Sequence, residues 1–418
     1  MKSLWPTIRM KFLASGPMKY GANEAAMECD KNQPRFIRIT DINEDGSLRS
    51  DSFKSLPRAL AEDYMLKQDD ILFARSGATV GKTFIYKQSW GPACFAGYLI
   101  RFRCEQTKLT PKFLFHLTQG NDYWSQIGET TIQATIQNVS AERFGDVILP
   151  VPPIPKQQSI IDFLDKQTAR LDALMAAKER VLWLLSEKRR ALITRAVTRG
   201  LDPKVPLRDS GVPWLGKIPV HWRTERAKWL FSERDERSDT GEEELLSVSH
   251  LTGITPRSEK DVNMFEAETT EGYKLCFAGD LVINTLWAWM GAMGISKVEG
   301  IVSPAYNVYQ PRPRIDPSFV DALARIPIFA QEVTRYSKGV WSSRLRLYPE
   351  GFFEVFFPVP PINEQRAIVE YISKETAKLD ALRVATELSI ALIKERRSAL
   401  ISAAVTGQID INANATRV

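Results

Sequence analysis

A chain of 418 residues is long enough for two or three domains with cores of their own. Its 44% hydrophobic and 25% charged residues are ordinary for a globular protein, and no run of about 18 apolar residues predicts a membrane-spanning helix. The net charge of +6 and pI near 9.0 hint at a polyanionic partner without establishing one. The four cysteines (Cys29, Cys94, Cys104, Cys276) form no Cys-x-x-Cys pair and are too few for a disulfide framework. The three histidines (His116, His221, His250) lie too far apart to suggest a zinc site. The N-terminus has charges and no continuous apolar stretch of a signal peptide, so a cytoplasmic protein is expected.

Residues 1–152 are expected to form a first domain. Short β-type runs (Phe36–Ile39, Ile71–Phe73, Thr83–Tyr86, Tyr98–Phe102) alternate with Gly, Asp and Pro, which predicts a compact α/β (mixed α+β) domain with a mixed sheet. Within it, Gly77-Ala-Thr-Val-Gly81-Lys82-Thr83 resembles a phosphate-binding loop. Only three residues separate its glycines, and a strand pattern follows where a P-loop needs a helix. A glycine-bounded hairpin is the better expectation. Residues 153–200 predict one long helix. Prolines end at Pro155, no Pro or Gly interrupts the body, and Gly200 marks its stop. Apolar residues recur at three and four through Leu164, Leu171, Leu174, Val181, Leu185, Leu192 and Ala196, a coiled-coil-like seam.

Residues 201–357 are read as a Pro- and Gly-rich linker up to Trp222 and a second domain, with runs such as Leu245–Val248 and Leu281–Ile283. Residues 358–418 predict a second long helix and a tail, with a seam through Ile372, Leu379, Leu382, Ile393, Leu400 and Ala404 and a stop at Gly407. The two helices are near-copies in gap-free register at an offset of 208, from PVPPIPKQQ to PVPPINEQR at their openings and on to Asp202 and Asp410. The domains before them echo each other weakly: Trp5 with Trp222, Gly81 with Gly291, Phe144 with Phe352. A helix from Lys156 to Thr198 would span roughly 64 Å, so pairing of the two helices, antiparallel, is expected. The inference is a fixed spacer carrying two different readers.

These marks together resemble the specificity subunits of type I restriction–modification systems. The helix openings, the cores TARLDAL and TAKLDAL, and the cassette Asp209-Ser-Gly-Val-Pro-Trp-Leu-Gly-Lys-Ile-Pro-Val-His-Trp222 carry the resemblance over nearly the whole length. Family members often open the first domain with such a cassette as well; here only Trp5 and the basic residues after it remain. The resemblance implies two target recognition domains, pseudo-repeated and separated by two long antiparallel coiled-coil helices. It implies a bipartite, asymmetric site on double-stranded DNA, two methyltransferase subunits docked on the paired helices, and motor–nuclease subunits joined for restriction. It implies that S-adenosylmethionine is held by the methyltransferase, with no cofactor, metal or catalytic residue in this chain and no membrane partner. The sequence itself shows no Asn/Asp-Pro-Pro-aromatic motif and no Gly-rich loop for that cofactor.

Base reading needs side chains that can pair with base edges, and these sit commonly on loops held by a rigid scaffold. Two segments in each domain fit. The first is the hairpin: Arg75, Ser76, Thr79, Lys82 and Thr83 in domain one, and Asn284 and Trp287, with Trp289, in domain two. The second precedes the final strand: Gln133, Thr135, Gln137 and Asn138 in domain one, and Ser342, Ser343, Arg344 and Arg346 in domain two. The basic runs Lys188-Arg-Arg190 and Lys394-Glu-Arg-Arg397 are expected to serve partner docking rather than phosphate contact. A helical rod of that length holds half-site centres no more than about 19 base pairs apart, with inward-leaning loops bringing them nearer one turn, about 10. Two other functions compete: a coiled-coil interaction scaffold that reads no DNA sequence, and a nucleotide hydrolase built on Gly77–Thr83.

Overall fold

The computed structural model describes residues 3–25, 29–43, 46–131, 138–250, 252–259, 269–339, 345–409 and 411. The chain divides into two compact units. One comprises Met1–Glu179 and Glu387–Val418, the other Arg180–Thr386. Each unit therefore contains one head and a part of each long helix.

In the first unit a four-stranded sheet runs in the order Lys19–Tyr20, Leu99–Phe102, Ile71–Ala74, Thr83–Ile85, antiparallel throughout. Its central strand, Ile71–Ala74, is buried on both faces, as its unbroken apolar run requires. The parallel pairing that makes the head mixed is a separate ladder of Arg35–Ile37 with Ala93–Phe95. Phe73, Phe102, Phe113 and Phe144 fill the main core, joined by Ile160, Ile161 and Leu164 from the first long helix and Ile401, Ala404 and Val405 from the second.

The second unit repeats the plan. Its sheet order is Phe231–Arg234, Tyr306–Pro311, Leu281–Asn284, Met293–Ile295, again antiparallel. Phe231, Tyr309, Phe319, Phe329, Phe352 and Phe357 form its core, with Ala196 and Val197 from the end of the first long helix and Ile368 and Ile372 from the start of the second.

The long helices span Ile154–Arg199 and Ile362–Val405. Within each unit the beginning of one packs beside the end of the other, so the paired segments are antiparallel. In the first unit Arg397 Nε donates to Asp172 at 2.9 Å. In the second Arg189 Nη1 donates to Asp380 at 2.7 Å. These pairs are the same pair at the 208 offset, with the partners exchanged between helices. All four side chains are partly solvated, so the pairs set register and contribute only modestly to stability.

The matching openings of the two helices have a physical reason. Gln157 and Gln365 are fully buried. Gln157 Nε2 donates to the carbonyls of Lys108 and Pro152, and its Oε1 accepts from Thr110 N. Gln365 Nε2 donates to Arg314 and Pro360, and its Oε1 accepts from Asp316 N. Thr110 and Asp316 are the N-caps of the helices Pro111–Leu117 and Pro317–Ala324. One glutamine thus fastens each long helix to its head by satisfying groups that burial would otherwise orphan.

The helix stops are equally specific. Gly200 and Gly407 have φ of 72° and 83°, the left-handed conformation that ends a helix. A Cβ at Gly200 would lie 3.2 Å from the Trp222 ring, and one at Gly407 2.9 Å from the Trp5 ring. Both the backbone and the aromatic lid exclude a side chain there.

Two expectations require correction. The segment 201–222 is no free linker. Leu207–Asp209 pairs with Lys217–Pro219, and Val212, Leu215, Ile218 and Trp222 are buried in the second core. Its Pro and Gly content serves tight turns, and its apolar residues fold it. The apolar seam also fails to stay inside along its full length. Leu174, Val181 and Leu382 are exposed. Leu388 and Leu392 in the first unit, and Trp183, Leu184 and Val384 in the second, join them on the open surface of the helices. Among the described residues no helix is long and apolar enough to cross a membrane.

Candidate nucleic-acid interface

Each head carries one turn at the end of its central strand. In the first, Ile71–Ala74 leads into a single 3₁₀ turn, Gly77–Thr79, and returns as Thr83–Ile85. No helix follows, so the backbone amides cannot form the helix N-terminus that a nucleotide-binding loop needs. Gly81, with φ of 86°, closes the turn, and its carbonyl accepts from the buried Tyr123 hydroxyl at 2.7 Å.

The second head builds the same turn at an offset of 210. Leu281–Asn284 leads through Ala288–Met290 to Gly291, also at φ 86°, and into Met293–Ile295. Matching backbone bonds hold both: Ala74 N to Lys82 O at 2.9 Å and Asn284 N to Ala292 O at 3.0 Å.

In both heads the segment before the final helix is tied to this turn. Val139 N donates to Arg75 O at 2.8 Å, and Leu347 N donates to Thr285 O at 3.0 Å. The described residues of the second segments, Asn138 and Arg346, therefore lie beside these turns. In the first head Arg75 Nε donates to Asn138 Oδ1 at 3.1 Å, Ser76 forms a β-bridge with Asn138, and the Arg75 guanidinium lies 4.6 Å from the Tyr20 ring centre. Lys82 and Asn138 are exposed, and Arg75, Ser76 and Thr79 are half-buried. In the second head Arg346 is exposed, pairs with Lys338 through two backbone bonds, and neighbours the Thr285 tie. Trp287 is half exposed and stacks on Trp289 at 22°.

Two candidates face inward. Thr83 is buried and hydrogen-bonds Thr118. Asn284 is buried and its Oδ1 accepts from Leu286 N at 3.2 Å. Both hold the turn from within. Gln133, Thr135, Gln137, Ser342, Ser343 and Arg344 lie outside the described residues. Sequence reasoning missed Tyr20 and Tyr98. Both are exposed beside Arg75, whose N–H donates to Tyr98 O at 3.0 Å. No pattern in the sequence marks either tyrosine.

Beneath the first turn lies a cleft of about 660 Å³, lined by Lys82, Lys112, His116, Trp124, Asp165 and Arg397. His116 Nε2 is 3.0 Å from Asp165 Oδ1. Burial, aided by the nearby Lys112 and Arg397 charges, lowers the His116 pKa below its ordinary 6.5 even though Asp165 pulls it up. The folded state then binds fewer protons than the unfolded chain below that value, so its stability falls as pH drops through it. We expect the melting temperature to decline from pH 7.5 to 5.5, and His116→Gln to flatten that decline. An unchanged slope in the variant would assign the acid sensitivity to other groups. Burial also pushes the thiols of Cys94 and Cys276 up to about 12, which keeps them protonated and unreactive. Among the described residues no group of His, Cys, Asp and Glu could hold a metal ion.

Residues 22–182 match the family described as type I restriction modification DNA specificity domain. The chain is 22% identical to the type I restriction enzyme EcoBI specificity subunit of Escherichia coli, over 97% of this chain and 86% of that protein. It is 23% identical to the EcoKI specificity subunit of E. coli strain K12, over 90% of this chain and 82% of that one. A chain from a structure concerned with complex assembly and conformational transition of the type I R-M system matches at TM-score 0.73 with 15% identity, covering 97% of this chain and 98% of that one. The crystal structure of the HsdS subunit from Thermoanaerobacter tengcongensis matches at TM-score 0.52 with 16% identity, covering 97% of each chain. Residues 22–182 thus carry a type I restriction modification DNA specificity domain, and along most of its length the chain is similar to specificity subunits of type I restriction enzymes, whose fold of two heads and a repeated pair of long helices it shares.

Proposed function

We propose that this chain is the non-catalytic, sequence-reading subunit of a cytoplasmic type I complex and recognises a two-part, asymmetric site on double-stranded DNA. One observation carries the reading: the two heads present the same backbone turn with different side chains. The first offers Arg75, Ser76, Lys82 and Asn138, which suit hydrogen bonding to base edges and phosphates. The second offers Trp287 with Arg346. Thr83 and Asn284 support these turns rather than read. Two unlike readers on repeated frames demand an asymmetric site.

Methyltransferase subunits dock on the long helices, where Trp183, Leu184, Leu382, Val384, Leu388 and Leu392 leave apolar surface open to water. S-adenosylmethionine and the chemistry of adenine methylation belong to those partners, through which motor–nuclease subunits join.

The test is to map modified bases in cells carrying this chain with its cognate methyltransferase, against cells lacking the chain. A split, asymmetric adenine-methylation motif that needs the chain supports the reading. Unchanged methylation by an assembled complex would leave an interaction scaffold instead. Arg75→Ala is expected to weaken binding by about 1–3 kcal/mol and relax preference at one position of a single half-site, read by competition with variant duplexes.

A further inference from the structure

The two turns share a backbone but present opposite chemistry at matched positions. Arg75 is matched by Thr285, Ser76 by Leu286, Gly77 by Trp287, Thr79 by Trp289 and Lys82 by Ala292. The first turn is polar and cationic. The second has no charge between Asn284 and Met293 and exposes Leu286, Trp287 and Met290. Its inner side is committed. Trp289 Nε1 donates to Leu286 O at 3.1 Å, and Thr334 Oγ1 donates to Trp289 O at 3.3 Å, from the helix Pro327–Tyr336. Trp289 is thereby fixed, and Trp287 stacks on it with a ring-centre separation of 6.1 Å. The outer indole is held ready, so little side-chain freedom is lost on contact.

An exposed, prearranged aromatic surface needs an occupant. Exposed Lys338 and Arg346 pair through their backbones beside it, and Leu347 N ties that strip to Thr285 O at 3.0 Å. An apolar patch bordered by cations suits a duplex, with phosphates meeting the cations and base edges meeting the patch. Among major-groove edges, guanine, adenine and cytosine present acceptors or donors, and thymine adds an apolar methyl group. An indole placed on an unpaired donor or acceptor strands that group without water, whereas one placed on a methyl gains buried area.

We propose, resting on the DNA-reading function above, that the Leu286–Met290 turn reads its half-site through the C5-methyl groups of thymine, with Trp287 as the specificity-determining residue and Trp289 as its support. The first turn reads by hydrogen bonds. The two half-sites are thus recognised by different physics.

The experiment uses the full chain assembled with its cognate methyltransferase on a duplex carrying its mapped site. Thymines are replaced one at a time by deoxyuridine, which removes only the methyl. Loss of one buried methyl, about 0.8 kcal/mol, corresponds to about fourfold in Kd. We expect that loss at one or more thymines of the half-site read by the second head. Trp287→Ala should bind thymine and uracil duplexes equally there, and Trp287→Phe should keep the preference. Uracil tolerated at every position of that half-site by the unaltered chain overturns the proposal, and this arm needs no variant. A uracil penalty that persists undiminished in Trp287→Ala also overturns it. So does loss of methyltransferase assembly by a folded Trp287→Ala, which would make the patch a protein-docking face. Absence of any site-specific binding by the unaltered complex would instead sink the DNA-reading function, and the proposal with it.

Discussion

Gln365→Leu should destabilise the second unit by roughly 3–6 kcal/mol, although leucine is apolar and similar in size. The substitution strands Asp316 N–H and the carbonyls of Arg314 and Pro360, and each buried unsatisfied group costs about 1–3 kcal/mol. It also loosens the capped start of Pro317–Ala324, where Asp316 additionally accepts from Ser318 N and Phe319 N. Urea denaturation followed by fluorescence reads the effect as a lower midpoint. Gln365→Glu provides the sharper control. It keeps an acceptor for Asp316 N but turns a carboxylate towards two carbonyls, so it should be at least as harmful at neutral pH and partly recover in acid. A loss below about 1 kcal/mol for Gln365→Leu would mean that water replaces the lost bonds. Gln157→Leu is expected to act alike in the first unit.

Phe352→Ala should cost about 3–5 kcal/mol. The ring is fully buried and lies 4.4 Å from the Tyr309 ring centre, 5.5 Å from Phe231 and 6.2 Å from Phe357. Tyr309 and Phe231 sit on neighbouring sheet strands, and Phe357 on the strand that pairs with Arg223–Arg226. A cavity at this junction is bounded by strands and cannot collapse easily, which places the cost at the upper end. Phe352→Leu should recover more than half of it. Equal stability of the alanine variant in a thermal melt would show the junction to be far softer than its packing indicates.

The long helices were legible because two independent signals agreed: apolar spacing within each copy and register between copies. The first, Ile154–Arg199, ends within two residues of the expected Lys156–Thr198, and the second, Ile362–Val405, lies inside the expected 358–418 and ends just before the Gly407 stop. The strands Ile71–Ala74 and Leu281–Asn284 were legible because a strand buried on both faces is a continuous apolar run. Lys19–Tyr20 was not, because two residues carry no periodicity. The fold of 207–222 was hidden by its turn residues, although Trp222 had already been matched with Trp5. Pattern reading registers Gln157 and Gln365 only as neutral polar residues. Their importance lies in the carbonyls and N–H groups they meet, which are remote in sequence. The turns of both heads were found by their glycines. Which side chains face outward was not, since Thr83 and Asn284 are polar and buried while Leu286 and Trp287 are apolar and exposed.

On the DNA-reading function proposed above, the shared turn separates what holds the head together from what would meet the DNA. Its shape rests on Gly81 or Gly291, on backbone bonds across its base, and on the backbone tie from Val139 or Leu347. Exposed side chains on such a frame contribute within about half a kcal/mol to folding. Variation at Lys82, Leu286 or Trp287 can therefore accumulate without passing through a misfolded intermediate. A lineage under pressure to change its target can explore these positions freely, one substitution at a time, with the cost of each trial confined to recognition.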